Sequence, residues 1–96
     1  MCYNVLILED AESDIDNAFL WYEFRQIGLG DRFYEKVNEG IAYIANNPST
    51  SQKIYKKLRR YMVHNFPYGI YYLINENEKL KEMNFVKCVG PAKGGY

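Results

Sequence analysis

The first half of the chain contains one short apolar run followed by two stretches of helical spacing. Residues 3–8 (YNVLIL) are apolar and contain no breaker, which predicts a short buried strand. Apolar side chains then recur every three or four residues over about 10–26 and again over 31–46, which predicts two amphipathic helices. Gly28-Leu29-Gly30 separates them, and Asp31 is expected to cap the second helix. Because helices joined by so short a loop pack antiparallel, the pattern predicts a helical hairpin.

The second half carries the signals of strands. Asn46-Asn47-Pro48 ends the helical spacing, and residues 55–66 then mix apolar, basic and aromatic side chains. This mixture suits one half-buried strand or two short ones. Residues 70–74 (IYYLI) predict a central strand and residues 81–89 a last strand. Since strands joined by short connections run antiparallel, we expect an α+β fold in which an N-terminal strand precedes a helical hairpin packed on a mainly antiparallel sheet.

Size and composition indicate one domain. The 96 residues suffice for one core, which we assign to residues 1–89, while residues 90–96 (GPAKGGY) have little to bury and are expected to form a flexible tail. Aromatic residues make up 17% of the chain, which argues against intrinsic disorder. No apolar run approaches the roughly 18–20 residues of a membrane helix, and the N-terminus lacks the basic region of a signal peptide. We therefore expect a cytoplasmic protein without a membrane partner, whose Cys2 and Cys88 are reduced thiols.

The net charge of zero conceals an asymmetry between the two halves. Residues 1–50 contain nine acidic and three basic side chains, and residues 51–96 contain three acidic and nine basic ones. Such a division predicts a partner of one sign that faces one part of the surface, with two solvated faces as the alternative.

The most distinctive cluster lies within residues 53–72, which contain no acidic residue. Its basic members are Lys53, Lys56, Lys57, Arg59 and Arg60, and tyrosines are interleaved with them. Lys and Arg neutralise phosphates and bind carboxylates, and aromatic rings stack on exposed bases. The cluster therefore predicts a surface that binds a polyanion or an acidic peptide, to which we add Tyr68. The adjacent Tyr71 and Tyr72 point to opposite faces of a strand, so at least one of them is expected in the core.

The sequence lacks the residues that a zinc site, a histidine-led catalytic triad or a dinucleotide-binding motif would need. His64 is the single histidine, so neither a zinc site nor a histidine-led triad can be assembled by spacing. Gly28-Leu29-Gly30 lacks the third glycine of a dinucleotide fingerprint and follows a helix rather than a strand. The acidic residues of the first helix are typical of a solvated face. We therefore expect no metal and no cofactor.

A set of short motifs runs in order along residues 3–75. These are Ala11, Asp14-Ile15, Ala18, Trp21-Tyr22-Glu23, Gly28-Leu29-Gly30, Arg32-Phe33, Asn47-Pro48, Arg59-Arg60, Phe66-Pro67-Tyr68, Ile70 and Tyr72. Together they resemble the RelE/ParE toxin superfamily, the plasmid-stabilisation toxins of bacterial toxin–antitoxin pairs. The fold that this resemblance implies, a helical hairpin against an antiparallel sheet, agrees with the fold predicted from periodicity and turns.

The resemblance implies the toxin of a type II toxin–antitoxin system, neutralised by a cognate antitoxin that binds the basic cluster. ParE-like members inhibit DNA gyrase by binding, and RelE-like members cut mRNA in the ribosome. Trp21-Tyr22-Glu23 and the segment from Gly28 to Phe33 look more ParE-like. The resemblance therefore implies a gyrase inhibitor rather than an enzyme, and the sequence leaves open whether the chain forms a homodimer.

Two departures from the family pattern bear on the alternative of an mRNA endoribonuclease. Gly69 stands where members often carry Arg, and residues 85–91 (FVKCVGP) lack the terminal His and Arg of many members. The remaining catalytic candidates are Arg59, Arg60 and His64. His64 shares the strand parity of apolar residues at 58, 62 and 66, so we expect it at the edge of the core rather than in catalysis. A third alternative is an inactive member that still binds an antitoxin.

Overall fold

The computed structural model describes residues 3–76 and 79–90, in which two helices pack on a five-stranded sheet. The elements are β1 (Asn4–Ile7), α1 (Glu9–Arg25), α2 (Leu29–Asn46), β2 (Gln52–Tyr55), β3 (Leu58–Met62), β4 (Gly69–Glu76) and β5 (Lys81–Val89). The strand order is β1-β5-β4-β3-β2. Among the strands of the described residues, only the β1–β5 pair is parallel, and the long connection between these two strands contains both helices and β2 to β4. The predicted α+β fold, with its N-terminal strand and helical hairpin on a mainly antiparallel sheet, is confirmed.

β1 is an edge strand, and its expected burial is wrong. It pairs on one side with β5, where Val5 lies opposite Met83, and its four residues are all exposed. An edge strand has one neighbour instead of two, so even an apolar run keeps contact with solvent there. The apolar run therefore predicted the strand correctly, but it did not predict that the strand is exposed at the edge of the sheet.

The junction between α1 and α2 is capped by a residue of the preceding helix, and the prediction that Asp31 caps α2 is wrong. Gly28, at φ 92°, occupies the N-cap position and has no side chain to offer. The carboxylate of Glu23 instead accepts hydrogen bonds from the backbone N–H groups of Gly28 (3.0 Å) and Gly30 (2.8 Å). Asp31 lies in the first turn, where its negative charge suits the helix dipole. Glu23 thus joins the two helices as well as capping the second.

An aromatic cluster connects the helical hairpin to the sheet. α1 contributes Tyr22, α2 contributes Phe33, and the segment between β3 and β4 contributes Phe66 and Tyr68. Ring centroids lie 4.9 Å apart for Tyr22 and Phe66, and 5.1 Å apart for Phe33 and Tyr68. Most of the pairs meet edge to face, the favourable arrangement for aromatic quadrupoles. We call these four residues the aromatic cluster.

The stretch predicted as one strand or two forms two short strands. β3 ends at Met62, and the chain then leaves the sheet in a tight turn where the N–H of Val63 donates to the carbonyl of Tyr68 at 2.9 Å. Around this point the alternation places Val63 in the core and puts Met62 and His64 together on the exposed side. The expectation that His64 lies at the core edge is therefore wrong. β4 is the middle strand of the sheet, as predicted, with Tyr72 buried.

Only the first residue of the predicted tail is described. Gly90 is half-buried, and a Cβ atom there would lie 2.5 Å from the ring of Tyr68, so the close approach requires glycine. Residues 91–96 and Cys2 lie outside the described residues. The flexible tail and the domain boundary at residue 89 therefore stay predictions.

We predict that Ile70→Ala lowers the free energy of unfolding by about 2–5 kcal/mol, because the substitution leaves a cavity in the core. Ile70 is fully buried in β4, whereas Ile54 in β2 is exposed and serves as the matched control. Ile41 in α2 is only half-buried, so Ile41→Ala should cost less than Ile70→Ala. Urea unfolding followed by circular dichroism measures all three. Equal losses for Ile70→Ala and Ile54→Ala would contradict this assignment of the core.

We predict that Glu23→Ala destabilises the protein by about 1–2 kcal/mol, because it leaves two N–H groups at the start of α2 without their acceptor. Glu23→Gln keeps an acceptor oxygen and should lose less. Thermal unfolding of both variants checks the order. A Glu23→Gln variant less stable than Glu23→Ala would argue against the capping role.

Candidate partner-binding surface

All five predicted cations lie on one hairpin at the sheet edge. We call β2, the Lys56-Lys57 turn and β3 the basic hairpin. Lys53 lies opposite Arg59, and Tyr55 lies opposite Leu58 across a two-residue turn. Lys56 has φ 49°, a left-handed conformation that a non-glycine residue adopts at some cost, and it places both lysines at the tip. Within the described residues none of the five cations forms an ion pair, so their charges are available to a partner.

Arg59 is held in place by the loop that follows α2. Its Nη1 donates to the carbonyl oxygens of Ser51 (2.5 Å) and Ser49 (3.3 Å). The hydroxyl of Tyr72, the residue paired with Arg59 across the sheet, donates to the carbonyl of Pro48 at 3.0 Å. Burial raises the pKa of Tyr72, so its hydroxyl stays protonated and remains a donor. Arg59 is therefore a pre-oriented charge, in contrast to the exposed lysines.

A groove of about 530 Å³ opens beside these cations. Its basic wall is formed by Lys53, Lys57 and Arg59, and its other lining residues are Ile74, Asn75, Glu76 and Leu80. The carboxylate of Glu76 accepts a hydrogen bond from Tyr3 Oη at 2.6 Å and lies 3.9 Å from Lys81 Nζ. That hydrogen bond is the main cause of the raised pKa of Tyr3. The carboxylate of Glu76 is thus occupied by Tyr3 and Lys81. The three cations of the basic wall therefore still give the groove a positive character.

Arg60 does not belong to the groove. Strand alternation directs Arg59 and Arg60 to opposite faces of the sheet. The aliphatic part of Arg60 lies close to Gly69, where an added Cβ would be 3.0 Å from Arg60 Cδ, with Met62 nearby. Tyr61, of the same parity as Arg59, faces α2 at Gly40. The five cations that form one cluster in the sequence therefore lie on two different faces of the sheet.

Tyr68 and His64 lie apart from the groove. Tyr68 is 1% exposed and belongs to the aromatic cluster, so its ring is core rather than binding surface. His64 is exposed in the turn after β3, whereas the Lys56-Lys57 tip precedes β3. At about 3.3 Å per residue, β3 ends at Met62 about 13 Å from Leu58, and His64 lies beyond that end. Of the three catalytic candidates, Arg59 thus lies in the groove, and Arg60 and His64 lie outside it.

The groove residues that the sequence did not indicate come from β4 and from Leu80, just before β5. Ile74, Asn75 and Leu80 reach the groove because β4 pairs with β3. Their types carry no charge or motif, so the only signal would have been the strand pairing itself.

Within residues 3–76 and 79–90, no three His, Cys, Asp or Glu side chains cluster in a way that could hold a metal ion. In the same part of the chain, no helix is both long enough and apolar enough to span a membrane. Burial raises the pKa of Cys88 to about 12, with a smaller contribution from Asp14. The Oδ2 atom of Asp14 also accepts a hydrogen bond from the backbone N–H of Cys88 at 3.1 Å, and it lies 3.7 Å from Lys87 Nζ.

The architecture, a helical hairpin on a mainly antiparallel sheet, is shared with a protein of known structure. A chain of the structure described as "Chromosomal ParDE TA system from P. aeruginosa" superposes with a TM-score of 0.78 at 11% sequence identity. The match covers 93% of this chain and 96% of that one. No family model matches this sequence. No curated protein matches it either. This chain therefore shares its fold with a chain of a ParDE toxin–antitoxin system, which agrees with the fold expected from the RelE/ParE resemblance.

We predict that the Cys88 thiol resists alkylation at pH 8 in the folded protein and reacts fully in denaturant. The reason is that a buried thiol with a pKa near 12 exposes almost no thiolate. Since its ordinary value is 9.0, stability from this group is complete below about pH 9 and declines as pH rises toward about 12. Mass spectrometry of a Cys2→Ser background isolates Cys88. Rapid labelling without denaturant would contradict its burial.

Proposed function

We propose that this chain is the toxin of a type II toxin–antitoxin system, of the ParE kind, and that it acts in the cytoplasm by binding DNA gyrase. The observation that carries the proposal is the shared fold with a chain of a ParDE toxin–antitoxin system over 93% of the sequence. The motif resemblance between residues 3 and 75 supports it independently of the fold comparison. A cognate antitoxin that covers the toxin is part of the same proposal.

The basic hairpin is the proposed contact surface for these partners. Its groove offers three cations beside the apolar residues Ile74 and Leu80, which suits an acidic segment with aliphatic anchors. Arg59 is already held by two carbonyl oxygens, so little conformational entropy is lost when it meets a carboxylate. The exposed lysines at the tip add long-range attraction that weakens with salt.

The separation of the catalytic candidates supports binding rather than RNA cleavage. A general acid or base must lie within hydrogen-bond reach of the reacting group, and the developing charge must be stabilised beside it. His64 stands at the end of β3 away from the groove, and Arg60 faces the other side of the sheet. The proposal therefore assigns no residue a catalytic role.

Two assays on the purified chain test the proposal. One measures supercoiling of relaxed plasmid by DNA gyrase, and the other measures protein synthesis in a reconstituted translation system with mapping of mRNA ends. We expect inhibited supercoiling and unchanged translation. Cuts in ribosome-bound mRNA that disappear in His64→Gln would replace the proposal with the endoribonuclease alternative. Activity in neither assay would favour an inactive member that retains only antitoxin binding.

We predict that replacing Lys53, Lys56 and Lys57 together by Gln weakens inhibition of gyrase about 3- to 150-fold. Exposed charge pairs contribute about 0.2–1 kcal/mol each, and three of them act together here. The exposed or half-buried cations Arg32 and Lys36 on α2 provide a matched control, in which both are replaced by Gln. Dose–response curves at two salt concentrations measure the effect. The salt dependence of inhibition should fall in the triple variant and persist in the control. Equal losses of inhibition in the two variants would contradict the placement of the contact surface on the basic hairpin.

A further inference from the structure

The five-stranded sheet ends in an exposed strand on each side. β1 and β2 occupy its two edges, and all four residues of each strand are exposed. Several of these side chains are large and apolar, with Leu6 46% and Tyr55 65% exposed. Because an edge strand carries N–H and C=O groups without a partner strand, each edge offers a template on which a strand of another molecule can pair.

At the first edge, the open backbone groups belong to Val5 and Ile7. The N–H of Leu8 donates to the carbonyl of Phe85 in β5 at 2.9 Å, so the backbone groups of Leu8 point into the sheet. Since these groups alternate in direction along a strand, those of Val5 and Ile7 point outward. Within the described residues β1 pairs with β5 alone, so the outward groups have no partner strand.

At the second edge, the same alternation opens the backbone groups of Lys53. The N–H of Val63 donates to the carbonyl of Tyr68, which directly precedes β4, so the backbone groups of Val63 point toward β4. Arg59 has the same parity as Val63, so its groups also point toward β4 and away from β2. Lys53 lies opposite Arg59, so the N–H and C=O groups of Lys53 point out of the sheet.

The two edges of the sheet differ in charge. Residues 1–24 contain no Lys or Arg, and the first turn of α1, directly after β1, has three acidic side chains. Glu12 and Asp16 line a hollow of about 220 Å³ together with Ile7 of β1, so acidic groups lie beside this edge. The basic hairpin at the other edge has five cations and no acidic residue. The sheet thus has an acidic edge and a basic edge.

We propose that β1 of one copy of this chain pairs with β2 of the next copy, so that copies associate head to tail. β1 is parallel to β5, and the strands from β5 to β2 alternate in direction, so β1 and β2 run in opposite directions. A copy displaced along the sheet therefore brings its β2 antiparallel to β1, with both helical layers on the same side. The sheet continues through the contact without a change in either fold.

The register follows from residues whose open backbone groups lie on the same face of the sheet. Lys53 shares a face with Arg59 and with Tyr72, which is buried under the helices. Ile7 lies opposite the buried Phe85 and is on that face too. An antiparallel pair of Ile7 and Lys53 therefore exchanges two backbone hydrogen bonds and overlaps the two strands over most of their length.

In this register opposite charges meet at the junction. Glu12 lines the same hollow as Ile7 and, among the described residues, forms no ion pair, so it is available to Lys53 of the next copy. The antiparallel direction carries the Lys56-Lys57 tip toward the first residue of β1, whose neighbour in β5 is Glu82. Basic groups of one copy thus approach acidic groups of the other at both ends of the paired segment.

Charge also disfavours the pairing of identical edges. Two copies of β2 would bring two basic hairpins together, and two copies of β1 would join two edges that lack basic side chains. Lysine on an edge strand prevents pairing with an identical edge, but it favours an edge of the opposite sign. The net charge of zero adds no overall repulsion between copies. The inference concerns the chain alone and goes beyond the proposed function.

Sedimentation equilibrium of the purified chain at concentrations up to about 1 mM tests the association. A contact between two short strands buries less than the roughly 1,200 Å² of a standard interface, so we expect a dissociation constant on the order of 0.1 mM at low salt. Because a head-to-tail contact leaves one edge free at each end, the average mass should rise beyond two copies. Salt at about 0.5 M should weaken association several-fold. A monomer at every concentration, or a mass that stops at two copies, would overturn the proposal.

Charge reversal tests the contact itself. Glu12→Lys and Lys53→Glu should each weaken association about 2- to 30-fold by opposing like charges, and a chain with both changes should associate as the unchanged chain does. Both positions are exposed, so folding measured by circular dichroism should not change. Glu35→Lys, at an exposed site of α2 with the same change of charge, is the matched control. An equal loss in the control, or no recovery in the double variant, would contradict the assigned contact.

Amide hydrogen exchange, followed by NMR, gives a readout that is specific for strand pairing. The N–H groups of Ile7 and Lys53 should exchange more slowly at the concentrations where copies associate, because each gains a carbonyl partner. The N–H of Leu8 already donates to Phe85, so it serves as the internal control and should change less. Slower exchange at both Ile7 and Lys53 supports the pairing of β1 with β2. Association that leaves the exchange of these two groups unchanged would overturn it.

Discussion

The packing of the aromatic cluster is the interaction on which the rest of the structure depends. Tyr22 and Phe33 come from the two helices, and Phe66 and Tyr68 come from the segment that joins β3 to β4. Each ring contacts rings of other elements at centroid distances between 4.9 and 5.9 Å. The cluster therefore fixes the angle between the helical hairpin and the sheet, and it also fixes the end of β3. Because β3 forms half of the basic hairpin, the same packing positions the surface proposed to bind partners.

The charges are arranged around this core in two regions. The acidic side chains are concentrated in the helical half of the sequence and the basic ones in the half that forms β2 to β5. The basic hairpin lies at one edge of the sheet, and β1, without a charged residue, lies at the other. The chain thus presents a cationic sheet edge and an exposed apolar face on α1, and these two surfaces lie on different elements.

The sequence predicts those features whose signals lie within one segment of the chain, and it does not predict those that depend on contacts between segments. Both helices and the central strand β4 were predictable because their apolar spacing and breakers lie within the segments themselves. The cap of α2 was not, since Glu23 reaches it from the preceding helix. The burial of Tyr68 was not, because its aromatic partners are distant in sequence. The division of Arg59 and Arg60 between two faces could have been expected from strand alternation once β3 was placed.

The candidate site was predictable in composition but not in shape. The run of cations without an acidic residue identified the basic hairpin, and its exposed lysines agree with that expectation. The groove depends on Ile74, Asn75 and Leu80, whose positions follow from the pairing of β3 and β4 and the connection to β5. His64 shares the parity of Met62, as the sequence suggested, but at this end of β3 that parity is the exposed side and Val63 is the buried residue. Which side of a strand is covered depends on packing against residues distant in sequence and leaves no trace in local periodicity.

The most direct test of the proposed toxin is the growth of bacteria that express this chain from a tightly controlled promoter. The account predicts that growth stops after induction and that the gene adjacent to its own, expressed together with it, restores growth. It also predicts that the variant with Gln at positions 53, 56 and 57 accumulates as folded protein and inhibits growth less. Unchanged growth of cells that contain folded, full-length protein would contradict the account.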